Sequence, residues 1–62
     1  MENNLIQKTK TAINQEKKLV ECFEDMLVQS ENPRAKAIIH DLILMEEMNE
    51  VLLRSLNQHL GK

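Results

Sequence analysis

Gln29-Ser30-Glu31-Asn32-Pro33-Arg34-Ala35-Lys36 holds the one break in an otherwise uninterrupted helix-forming sequence. Pro33 is the only proline. Proline suits the first position of a helix, where its missing N–H leaves no bond unmade and its fixed φ already matches the helix. Asn32 then stands at the N-cap, where a side-chain oxygen can accept from the free N–H groups of the first turn. The only glycine, Gly61, occupies the position that commonly follows a last helical turn. Outward from the break, helix 1 is expected over about residues 4–29 and helix 2 over about 33–60. The short turn, residues 30–33, makes the two helices antiparallel neighbours. The expected fold is all-α, one helical-hairpin domain spanning residues 1–62.

Composition agrees with this and excludes much else. Tryptophan and tyrosine are absent, and Phe23 is the only aromatic residue, which argues against a sheet. A net charge of -2 offers no broad basic footprint, and without aromatic platforms a nucleic-acid partner is not expected. No apolar run approaches the roughly 18 residues of a membrane span. Met1-Glu2-Asn3-Asn4 lacks the basic-then-apolar order of a signal peptide. One cysteine, Cys22, allows no intrachain disulfide, so a reducing, cytoplasmic setting is expected. Chains this short usually need disulfides, metal or oligomerisation to hold together.

The apolar rows point to oligomerisation. Helix 1 carries Ile6, Ile13, Val20 and Leu27, with Phe23 beside them and Leu5, Ala12, Leu19 and Met26 in flank. Helix 2 has two main rows, Ala35-Leu42-Asn49-Leu56 and Ile38-Met45-Leu52-His59, and a flanking row Ile39-Glu46-Leu53-Leu60. A second strip, Ala37, Leu44, Met48 and Val51, lies on another face of helix 2. One partner helix cannot cover both faces, and a large uncovered apolar patch marks an interface. The hairpin is therefore expected to meet itself, as a homodimer or higher oligomer built on a four-helix bundle. The expected contact residues are Ile13, Val20, Phe23, Leu42, Met45 and Leu52, with Leu44, Met48 and Val51 available to a larger assembly or another protein.

Three polar residues interrupt the rows: Glu16, Glu46 and Asn49. A hairpin turning near residue 31 or 32 places residue 16 opposite about residue 47, so all three fall near mid-height. Buried carboxylates are costly unless paired, protonated or bound to metal. Hard divalent cations prefer such oxygen ligands. From Glu16 to about Leu53 the chain resembles half of a ferritin-like bundle of the rubrerythrin type. The shared features are Glu16 on the first helix, the turn Asn32-Pro33-Arg34-Ala35-Lys36, and Glu46-Glu47-Met48-Asn49 on the second. The resemblance implies a ferritin-like half-bundle with iron or manganese held by Glu16 and Glu46. Asn49 stands where that family has a metal-binding histidine, and an amide oxygen is a much weaker ligand than imidazole. The expected function is therefore a non-catalytic structural or protein-interaction module. The alternative is a metal-binding protein that stores or oxidises iron or manganese through Glu16, Glu46 and Asn49.

No other group builds a site. Glu21 and Glu24 point away from the stripe and flank Cys22, and neighbouring negative charge argues against an activated nucleophile. Ser30 and Ser55 have no base at a plausible spacing, and His40-Asp41 has no nucleophile beside it. His59 suits a helix C-terminus. Met26 and Met45 sit at core spacing, Met48 belongs to the second strip, and Met1 joins no row. Lys8, Lys10, Lys17 and Lys18 match the acidic Glu46, Glu47 and Glu50 in height, which suggests charge pairing between helices.

Overall fold

A computed structural model describes residues 2–61, Glu2 by its backbone alone; Met1, with its place among the methionines, lies outside the described residues. Two helices, α1 (Glu2–Gln29) and α2 (Pro33–Leu60), pack against each other as an antiparallel hairpin. The break is where the proline places it. Asn32 is extended at φ -86 and ψ 119, and its Oδ1 accepts from Arg34 N at 2.9 Å and Ala35 N at 3.2 Å. The Asn32 carbonyl accepts the first helical bond, from Lys36 N. Ser30 N donates to Met26 O to close α1, and Ser30 Oγ accepts from Asn32 N, so the turn satisfies its own backbone. Gly61 departs from expectation. It remains right-handed at φ -78 and ψ -5, and an added Cβ would stand 3.4 Å from Asn57 O, so glycine's conformational freedom is not used there.

The seam between the helices follows a heptad. On α1 the covered positions are Ile6, Thr9, Ile13, Glu16, Val20, Phe23 and Leu27; on α2 they are Ile39, Ile43, Glu46, Glu50, Leu53, Asn57 and Leu60. A 28-residue helix measures about 42 Å at 1.5 Å per residue, and the hairpin is 46 Å long. The register is set by residues that line one groove together, Lys17, Val20 and Glu21 of α1 with Glu47, Glu50 and Val51 of α2. In that register Leu27 lies level with Ile39, Val20 with Glu46, Glu16 with Glu50, and Thr9 with Asn57. Glu16 is thus level with Glu50, one turn from the residue 47 expected opposite it.

The stripe that α2 turns inward also differs from expectation. The flanking row Ile39-Glu46-Leu53-Leu60 faces α1, together with Ile43, Glu50 and Asn57. The row Ile38-Met45-Leu52 is exposed, as are Asn49 and Leu56, while Ala35 and Leu42 are half-buried at the seam's edge. Two apolar stripes compete on α2, and the one that carries Ile39, Ile43 and Leu53 meets α1.

Little is hidden. Among the described residues the buried apolar side chains are Ile13, Ile39 and Ile43, and the one buried polar side chain is Thr9, whose Oγ1 donates to Leu5 O at 2.8 Å. No described side chain is wholly enclosed. Neither helix is long and apolar enough to cross a membrane.

Candidate functional site

The two broad faces of the hairpin are unlike. In an antiparallel pair, flanks of the same sense on both helices lie on the same side. One side is fixed by the residues that line its grooves: Lys10, Asn14 and Lys17 of α1 stand beside Arg54 and Asn57 of α2, and Glu21 and Glu24 stand beside Glu47 and Glu50. That side is polar. The opposite flanks must then share the other side. They are Leu5, Ala12, Leu19 and Met26 of α1 with Ile38, Met45, Leu52 and Leu56 of α2. Seven of these eight are large, and all seven are exposed.

This apolar face is the main candidate site. Eleven large hydrophobic side chains are exposed among the described residues and three are buried, so much of the apolar material lies outside the seam. Of the residues expected at an oligomer contact, Met45, Leu52, Leu44, Met48 and Val51 are exposed. Leu42, Val20 and Phe23 are half-buried, and Ile13 is taken up by the seam. Leu44, Met48 and Val51 lie on the outer edge of α2 toward the polar side, distinct from the Met45–Leu52 row, as their spacing requires.

The polar mid-level divides between the two locations. Glu16 and Glu46 are half-buried in the seam, whereas Asn49 is exposed on the apolar face between Met45 and Leu52. Among the described residues no three acidic, histidine or cysteine side chains come close enough to hold one. The seam does contain an unsatisfied group: Glu16 Oε2 is shielded from solvent and has no hydrogen-bond partner. Asn57 Oδ1 is in the same condition. Level with Glu16, Glu50 is engaged on its own helix, where Arg54 Nε donates to Glu50 Oε2 at 3.2 Å.

Glu50 and Asn57 are seam residues that the apolar rows did not reveal. The signal was present in the heptad spacing Ile43-Glu50-Asn57, but two polar members out of three conceal a buried row. Cys22, His40, Asp41 and His59 are exposed, and of these Cys22 lines a shallow groove with Glu16 and Leu19.

Compared with known proteins, the chain matches no family model, no curated protein sequence and no solved structure.

Proposed function

We propose that this hairpin is a self-assembling structural and interaction module, non-catalytic, whose working form is a homodimeric four-helix bundle of ferritin-like design. One observation carries this reading: the apolar face leaves seven large side chains exposed, while the seam buries only three apolar side chains. A stable interface needs about 800 Å² from each partner. A face two helices wide along a 46 Å hairpin is large enough to supply it. Asn49 is then a polar residue in the middle of an apolar contact, the kind of position that fixes register and oligomer state. The free thiol of Cys22 suits a reducing, cytoplasmic setting.

The test is the mass in solution at about 1 M NaCl, where charge-driven contacts are screened, of the wild type and of a Met45→Glu, Leu52→Lys double variant, by light scattering. The wild type should be a dimer, and the variant a monomer with reduced helicity. A wild-type chain that is monomeric and fully helical at about 100 µM, weaker than any ordinary stable pair, defeats the reading.

A second reading has one observation in its favour, the partnerless Glu16 Oε2. In a two-fold dimer Glu16, Glu46 and Asn49 of both chains would supply oxygen donors for iron or manganese near the centre. Metal binding to the folded form alone would raise the melting temperature. Fe2+ or Mn2+ should do so in the wild type and not in Glu16→Ala; an unchanged wild-type melting curve at saturating metal removes this reading.

A further inference from the structure

The polar side of the hairpin is not uniformly polar. Its open-end half is basic: Lys10, Lys17 and Arg54 line one groove, with Asn14, Asn57 and Ile13 and no acid. Its turn-side half is acidic: Glu21, Glu24, Glu47 and Glu50 line the next groove, with Lys17 at its boundary and Val20 and Val51 on its floor. The charges are not resolved within the chain. Glu50–Arg54 is the one ion pair among the described residues, and it is formed along α2, not across the hairpin. Like charges therefore sit side by side at each end, while the complementary set lies at the other end of the same face.

A surface of this form is complementary to itself. A two-fold axis lying in the plane of the contact, at right angles to the helices, turns the basic half of one copy onto the acidic half of the other, and the reverse, in one isologous contact. The exposed edge strip Leu44-Met48-Val51 borders the boundary between the halves, so its Val51 end lies near that axis. That gives an apolar centre with a charged rim, the usual anatomy of a protein interface. We infer that the polar side is a second self-docking surface, in which another copy of this chain lies antiparallel with Lys10 over Glu24 and Arg54 over Glu47. It is separate from the apolar-face dimer and does not require it. Opposed charges here would govern orientation and rate of encounter more than affinity. Exposed pairs are individually weak, so this step is the weaker of the two and sensitive to salt.

The experiment is sedimentation velocity at about 0.1 M and about 1 M NaCl, where the screening length falls from roughly 10 Å to roughly 3 Å. At low salt the wild type should form a species twice the mass seen at high salt, with the step weakened on the order of tenfold or more by the added salt. Lys10→Glu with Arg54→Glu, and separately Glu24→Lys with Glu47→Lys, should each hold the high-salt size at low salt. Mixed in equal amounts, the two variants should recover the larger species. A wild-type chain of one size in both salts overturns the self-docking and leaves the acidic half to a different, basic partner. Two helical variants that fail to join on mixing overturn it as well. The high-salt size reports separately on the apolar face: a dimer there supports that reading and a monomer defeats it, whichever way the salt-dependent step falls.

Discussion

α1 and α2 have the same length, 28 residues, and share one seam, yet they make different demands on their surroundings. α1 gathers Ile6, Ile13, Val20, Phe23 and Leu27 toward its partner, keeps Leu5, Leu19 and Met26 in a single flank, and is polar behind. α2 is apolar on three sides: Ile39, Ile43 and Leu53 inward, Ile38, Met45 and Leu52 on one flank, Leu44, Met48 and Val51 on the other. A helix with one apolar stripe is satisfied by one neighbour; a helix apolar nearly all round belongs inside something. The hairpin is therefore asymmetric in what it leaves uncovered, and α2 carries the larger share of the exposed apolar surface.

The largest expected effect tests that asymmetry directly. Met45 and Leu52 are 64% and 60% exposed, whereas Leu5 and Leu19 on the same face are 46% and 38% exposed. The α2 pair has more area left to bury on association, at roughly 25 cal/mol per Å². Met45→Gln with Leu52→Gln should weaken self-association by about 2–3 kcal/mol, on the order of a hundredfold in Kd. Leu5→Gln with Leu19→Gln should weaken it by clearly less in the same titration. Equal losses would mean that α1 contributes as much to the contact as α2.

Removing the N-cap of α2 comes next. Asn32→Ala deletes the Oδ1 that holds the Arg34 and Ala35 N–H groups and should cost about 1 kcal/mol in thermal unfolding. Below it is the seam carboxylate of α1. Glu16→Leu removes the partnerless Oε2 and should be neutral or stabilising by up to about 1 kcal/mol, because a half-buried unpaired carboxylate adds little. Clear destabilisation would show that Glu16 has a partner in the assembled state. The smallest effect is expected at Val28, which is 85% exposed on α1 near the turn. Val28→Lys should change neither mass nor melting beyond about 0.5 kcal/mol, in contrast to any charge placed at Met45.

The hairpin itself was legible in the sequence, and the reason is local chemistry. Asn32-Pro33 is a start signal that no competing turn contradicts, so both helix boundaries at the break fall where expected. The N-terminal boundary was set two residues late, because Glu2 and Asn3 belong to no apolar row. What the sequence did not decide is which side of α2 meets α1. Periodicity identifies a face only when one face is richer than the rest, and on α2 the row that turned inward, Ile39-Glu46-Leu53-Leu60, looked like a flank. The same ambiguity displaced Asn49 from the expected core level to the outer face and concealed Glu50 and Asn57 in the seam. The halves of opposite charge on the polar side became visible only once the register aligned Lys17 with Glu50 and Glu21 with Glu47.

The thinness of the seam, three buried apolar side chains and none wholly enclosed, bears on how much of this protein is folded at all. When association supplies most of the burial, mass action governs the fold, and the native fraction rises with the amount of chain present. Tm should climb steadily with concentration in a dilution series, and dilution alone should melt the helices. The abundance of such a protein is then a control on its shape: scarce, it is an open chain exposed to proteases; plentiful, it is a bundle.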